Sequence, residues 1–170
     1  MSEDNYRTQL LNLTALAAEY CNTIENTQEY TRGEFVSKML ILLPKIYVGF
    51  LEYSPAQDEE YYLQPHIDED YYESIRRRLE DIMGSEDVYL ETFVEDMKYS
   101  DTPIGVSISE SLADIFQSLY NFVYSIRESE GENLTEAYCL CHEEFDEFWA
   151  QTLCNVMGAL NSIRNVTDVE

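Results

Sequence analysis

Apolar side chains return every three or four positions along most of this chain, the period at which side chains stack on one face of an α-helix. Leu10, Leu13, Ala17, Tyr20, Cys21 and Ile24 trace such a stripe and predict a first helix from about Tyr6 to Asn26. Thr31 and Glu34 form a capping-box pattern, in which the hydroxyl takes an orphan amide and the carboxylate reaches back. A second helix is therefore predicted from Arg32 to about Tyr53. Phe35, Met39, Leu42, Leu43, Ile46, Tyr47, Phe50 and Leu51 make it apolar around most of its circumference. That pattern suits the central helix of a bundle. Pro44 removes one backbone donor and crowds the carbonyl of Leu40, so a kink is expected there.

Ser54 to Ile67 has no period and contains Pro55, Pro65 and the acids Asp58, Glu59 and Glu60, which reads as a loop. Tyr72, Ile75, Leu79 and Ile82 predict a third helix from about Asp68 to Met83, ended by Gly84. Leu90, Phe93, Val94 and Met97 predict a fourth, from Ser85 or Glu86 to about Tyr99. After a turn at Ser100–Pro103, a second Ser-x-x-Glu pattern at Ser107 and Glu110 opens a fifth helix that reaches Arg127. A polar linker at about 128–133 leads into one long last helix from Leu134 to about Ile163. Its inward stripe is Tyr138, Cys141, Phe145, Phe148, Trp149, Thr152, Val156, Ala159 and Ile163. No convincing two-residue alternation appears. The expectation is all-α: one domain over residues 1–170, a bundle of about six helices with short loops and antiparallel neighbours.

Composition adds charge to this picture. The 170 residues carry 34 acids against 10 bases, a formal charge of −24, yet 45% are hydrophobic and 13% aromatic, enough to fold. Such a surface repels phosphate backbones and anionic membranes, so neither nucleic acid nor a bilayer is an expected partner. A basic protein is, although plain solubility explains the same charge. The start, Met1 to Asn5, has no basic region or apolar run of a signal peptide, and Met39 to Leu51 is too short and interrupted to span a bilayer. A cytoplasmic protein is expected, with Cys21, Cys139, Cys141 and Cys154 reduced.

Candidate chemistry is thin. Cys139, Cys141 and His142 put three soft ligands within four residues, but neighbours on a helix point about 100° apart and no fourth ligand has zinc spacing. His66 with Asp68 and Asp70 mixes an imidazole with hard oxygen ligands, yet lacks the glycine and distal glutamate of a calcium loop. An acidic helix start explains those acids equally well. Glu91, Glu95 and Asp96, near Asp101, Glu110 and Asp114, form the densest acidic surface, read as one helix face turned to water. Solvated carboxylates do no acid–base work, so these are candidates for partner binding. Arg76, Arg77 and Arg78 have acids one turn away and read as ion pairs. The 14 tyrosines suit a core periphery, ring buried and hydroxyl wet, or an interaction surface. Phosphate loops and nucleophile elbows are absent, and no cofactor is implied.

Longer stretches carry a resemblance. Tyr89 to Met97 followed by Tyr99 to Ile104, Ser107 to Ile115, Leu42 to Tyr47, and Phe145 to Leu153 with its Phe148-Trp149-Ala150-Gln151 resemble a bacterial family of small acidic helical proteins. It is the domain-of-unknown-function family numbered five thousand and sixty-three. The Glu-Asp-Met-x-x-Ser-Asp-x-Pro stretch is the most specific piece. The resemblance implies a helical fold over most of the chain and supplies no activity or catalytic residue.

Three functions follow as expectations. The first is a non-enzymatic binding or scaffold module whose acidic face meets a basic protein, nucleic-acid mimicry being a variant. The second is a metal-dependent enzyme using carboxylates between helices, with His66 or His142 contributing. The third is an assembly protein that buries surplus tyrosines in a homodimer.

Overall fold

A computed structural model describes residues 2–55, 61–91 and 104–166. Six α-helices are present among them: α1 (Glu3–Glu25), α2 (Arg32–Glu52), α3 (Glu69–Met83), α4 (Ile108–Glu128), α5 (Leu134–Glu144) and α6 (Ala150–Ile163). Two short strands, β1 (Val88–Glu91) and β2 (Ile104–Ser107), pair antiparallel with Val88 opposite Ser107 and Glu91 opposite Ile104. The fold is the expected helical one, with this ladder added.

Local signals set most of the boundaries. Thr31 Oγ1 accepts the Glu34 N–H at 3.2 Å and Glu34 Oε1 accepts the Thr31 N–H at 3.2 Å, completing the predicted capping box of α2. The Asp68 carboxylate accepts the Tyr71 N–H at 2.8 Å and starts α3. Gly84 ends it at φ +56°, ψ −131°, a conformation open to glycine. The Arg32 guanidinium then donates to the Met83 carbonyl at 3.3 Å, placing a cation on the negative end of α3. Ser107 Oγ accepts the Glu110 N–H at 3.0 Å and opens α4.

The expected linker at 128–133 is a capped turn. Glu130 N–H donates to Arg127 O at 3.2 Å and Gly131 N–H to Ile126 O at 2.9 Å, the paired bonds of a Schellman motif. Its left-handed position is held by Glu130, at φ +55°, where glycine is usual. Glu130→Gly should therefore raise stability by about 1 kcal/mol, the cost of holding an L side chain there. Urea unfolding of the two proteins checks it; an unchanged or lower midpoint would contradict it.

Three expectations change. The fourth helix was predicted from Ser85 or Glu86, but Val88–Glu91 is a strand, and residues 92–99 lie outside the described residues. Local pattern leaves Val88-Tyr89-Leu90 open to either structure, and backbone bonds to Ile104–Ser107 decide for the strand. The central position belongs to α4, which packs against α1, α3, α5 and α6, while α2 packs against α1 and α6. The surplus apolar residues of α2 consequently face water, with Ile41 61% and Leu51 57% exposed. Pro44 sits within a helix that continues past it.

The third change is in the long last helix. Phe145–Trp149 winds as a π-helix between α5 and α6, with the Ala150 N–H reaching back to Phe145 O. The wider turn shifts the phase of the stripe. Phe145, Trp149, Leu153, Val156 and Leu160 become the buried seam, and Phe148, expected inward, is 67% exposed.

Around this frame, Phe50 of α2 is the aromatic hub. Its ring centroid lies 4.8 Å from Trp149, 5.2 Å from Tyr138, 5.3 Å from Phe145 and 6.4 Å from Phe122. Among the described residues no helix is long and apolar enough to cross a membrane.

Candidate functional site

The chemistry-bearing side chains gather where the end of α1, the start of α3 and the flank of α4 meet. Tyr71 and Tyr72 are consecutive on α3 and diverge by about 100°. They reach different neighbours. Tyr71 donates its hydroxyl to Glu25 at the end of α1, and Tyr72 donates to Asp114 Oδ1 of α4 at 2.5 Å. Burial, then the bonded carboxylate, pushes both phenols well above their usual range. Arg78 donates to the Glu25 carbonyl at 2.9 Å, closing the C-terminus of α1. Arg76 bridges Glu73 at 3.2 Å and Glu80 at 2.8 Å, the ion pairing expected of the arginine run.

A row of rings continues along α4. Tyr71 lies 5.5 Å from Tyr120, which stacks on Tyr124 at 4.2 Å, and Tyr124 lies 6.2 Å from His66. Burial and the Tyr124 hydroxyl push Tyr120 up to about 12. The guanidinium of Arg127 sits 5.1 Å from the Tyr124 ring centre, within cation–π reach. Elsewhere, Tyr20 and Tyr138 are buried and donate to the carbonyls of Leu112 and Tyr53. Among the described residues most tyrosines thus complete the core edge.

The predicted acidic surface divides. Glu110 and Asp114 lie one turn apart on α4, beside Tyr72; both residues are exposed, but the Asp114 carboxyl is partly covered where it meets the Tyr72 hydroxyl. Glu91 is on β1 and not on a helix, so the helical spacing expected to align it with Glu95 does not apply. Glu95, Asp96 and Asp101 lie outside the described residues.

The predicted metal ligands are held by separate partners. His66 pairs through Nε2 with Glu128 at 3.1 Å, and the Asn121 side-chain oxygen accepts the backbone N–H of His66 at 2.8 Å and of Ile67 at 3.2 Å. Asp68 caps α3, and Asp70 is exposed in its first turn. His142 contacts the Phe50 carbonyl through Nε2 at 3.0 Å and Asp146 through Nδ1 at 3.4 Å. Cys139 and Cys141 are buried, and the Cys141 thiol points at Ser118 O, 3.9 Å away. Burial pushes that thiol far up, away from the thiolate a metal needs. All four cysteines are free, with Cys154 exposed. Among the described residues no three His, Cys, Asp or Glu side chains converge as a metal cage would require.

Two carboxyls titrate above their usual range. For Asp114, burial of the carboxyl is the leading cause, opposed by the Tyr72 hydroxyl and reinforced by Glu110. For half-buried Glu144, burial leads again, opposed by Ser118 and reinforced by Glu143 and Glu147. Glu144 lines a cavity of about 70 Å³ with Gln64, Ser118, Asn121 and Ser125, room for a few waters and too small for a metabolite. A carboxyl whose folded pKa is raised holds its proton longer in the native state, so native stability falls as pH rises through that window. Glu144→Gln should accordingly raise the melting temperature at neutral pH, Asp114→Asn less so because Asp114 is exposed. Both gains should shrink as pH falls toward the ordinary values of 4.5 and 3.8. Melting curves across pH test this, and a gain that grew in acid would refute it.

Sequence reasoning missed Glu25, Asn121 and Asp87, the last of which accepts the Ser109 N–H at the start of α4 at 2.7 Å. Each acts on a residue far along the chain, and no local spacing announces that.

The fold has a solved counterpart: the crystal structure of protein BF1032 from Bacteroides fragilis superposes with a TM-score of 0.78 at 24% identity, covering 95% of this chain and 96% of that one. That likeness speaks for the fold. A comparison with the curated proteins gives no match. The model of the family described as a domain of unknown function (DUF5063) matches residues 4–165, nearly the whole chain, and the protein belongs to that family.

Proposed function

We propose that this protein is a non-catalytic cytoplasmic binding or scaffold module that meets a basic protein through its carboxylate-covered surface. What supports the reading is where the acids lie. Among the described residues Asp87 is the one fully buried carboxylate, and it is held by hydrogen bonds; the others keep access to water, Asp114 and Glu144 only in part. Solvated carboxylates that do not converge attract cations at long range and perform no proton transfer. The α3–α4 face, with Glu110 and Asp114 beside Tyr72, offers charge next to a large partly buried ring, a combination that favours lysine- or arginine-rich surfaces.

The test is capture from native lysate by the immobilised full chain, at low and at high salt. The screening length shrinks from about 10 Å at 0.1 M to about 3 Å at 1 M, so an acid-steered partner should be retained at low salt and released at high salt. Glu110→Lys should weaken that capture. No salt-labile partner even at low ionic strength would sink the reading.

A further inference from the structure

We propose that the outer face of α2 is a self-association surface, and that its occupant is α2 of a second copy packed antiparallel about a two-fold axis. Ile41, Pro44, Val48 and Leu51 recur at three and four positions along this helix, on the side opposite its buried residues. Ile41, Val48 and Leu51 are 61%, 49% and 57% exposed, so a continuous apolar stripe faces water. Singly scattered exposed hydrophobes need no explanation, but an aligned stripe marks an interaction surface.

Beside the stripe runs an apolar groove of about 430 Å³ between α1 and α2, floored by Leu13, Leu16, Pro44, Val48 and Gly49. Gly49 sets the depth of the helix contact beneath it. A methyl group at that position would stand 2.1 Å from Leu13 Cδ2, so a larger residue would have to displace the Leu13 side chain for α1 to come this near. Ridge and groove lie side by side on one helix, the arrangement an isologous contact requires, because each copy offers what the other needs.

Charge selects the occupant. Two chains of formal charge −24 repel each other over most of their surfaces. Among the described helices, α2 alone has more bases than acids, Arg32, Lys38 and Lys45 against Glu34 and Glu52. Arg32 caps α3 and Lys38 pairs with Glu19 of α1 at 3.7 Å. Lys45 and Glu52 remain, both exposed, two turns apart on the same flank of the stripe. A two-fold axis crossing midway between them, next to Val48, brings Lys45 of each copy to Glu52 of the other and sets Pro44, Val48 and Leu51 at the centre of the contact, with Ile41 beyond the end of the facing helix. A basic partner meets Lys45 here and is drawn to the carboxylates elsewhere. The chain itself supplies both charges at the matching spacing.

Sedimentation velocity and light scattering on the full chain, across a dilution series, decide this. The expected result is a species of twice the 19.9 kDa chain mass at the concentrated end. Val48→Asp should leave it monomeric, with unchanged helical dichroism, because Val48 is a surface position. Lys45→Glu and Glu52→Lys should each weaken association by about tenfold, and the double exchange should restore it. A wild-type monomer at every concentration, a dimer indifferent to Val48→Asp, or a charge exchange that restores nothing would each overturn the proposal. Association through this apolar face should persist at high salt, where capture through the acidic surface is lost, so the two readings fail separately.

Discussion

Replacing Phe50 with alanine is expected to remove about 3–5 kcal/mol of folding stability, the cost of truncating a fully buried phenylalanine. Against a total of about 5–15 kcal/mol for a domain, that loss brings the native state close to its limit. Phe50 is fully buried and makes ring contacts with Phe122, Tyr138, His142, Phe145 and Trp149. Those partners come from α4, α5 and the π-helical turn, so the cavity would open at the junction of three segments. Removing the ring takes away transfer energy and also the contacts that fix the π-turn, which by itself is an unfavourable winding. Neighbours cannot collapse into the space easily, because Trp149 is pinned by its Nε1–H bond to the Cys141 carbonyl at 3.4 Å. Phe50→Leu keeps most of the volume and should cost clearly less. Urea unfolding with an unchanged slope is the measurement. A loss under about 1 kcal/mol for the alanine variant would show that the hub is not where the core is held.

The same residue explains what the sequence made legible and what it did not. Phe50 is visible as an apolar position on a helix with a readable start, because the capping box at Thr31 and Glu34 and the apolar period are local signals. The cap at Ser107 and the stop at Gly84 are legible for the same reason, while Asp68, read only as one of the acids in the first turn, is the cap of α3. Which helix occupies the centre was not. Both α2 and α4 are rich in apolar residues, and only packing shows that α4 touches four other helices while α2 keeps Ile41, Val48 and Leu51 outside. The π-turn was hidden because a stripe spaced at three and four positions fits a regular helix, and one additional residue per turn moves Phe148 out without changing composition. The strand at Val88 was hidden because four residues cannot establish a period, and its partner lies beyond an intervening stretch. The candidate acidic surface suffered in turn: Glu91 was aligned with Glu95 on helical geometry that this strand does not have. In the arginine run, the expected pairing within one turn holds for Arg76, whereas Arg78 reaches the Glu25 carbonyl of α1 instead.

Asp87→Ala should cost about 2–4 kcal/mol, the largest effect expected from a polar position, because it leaves the buried Ser109 N–H without its acceptor and the Ser109 hydroxyl with only Ser107 Oγ, at 3.3 Å. Asp87 Oδ1 accepts the Ser109 N–H at 2.7 Å and Oδ2 accepts the Ser109 hydroxyl at 2.7 Å. Its carbonyl accepts the Ile108 N–H at 2.6 Å. Ser109 has no solvent exposure, so water cannot replace the lost carboxylate. The carboxylate also sits at the positive end of α4, where an anion is favoured. Asp87 precedes β1 and Ser109 follows β2, so this one cluster ties the base of the strand ladder to the first turn of the central helix. Asp87→Asn keeps an acceptor for one Ser109 donor but loses the charge, and should fall between wild type and alanine. Hydrogen exchange offers the sharper readout: the Ser109 and Glu110 amides should lose protection in Asp87→Ala while α1 and α6 keep theirs, because the opening is local to the start of α4. Protection at Ser109 equal to wild type, with no shift of the urea midpoint, would mean that Ser107 alone caps this helix and the long-range carboxylate is dispensable.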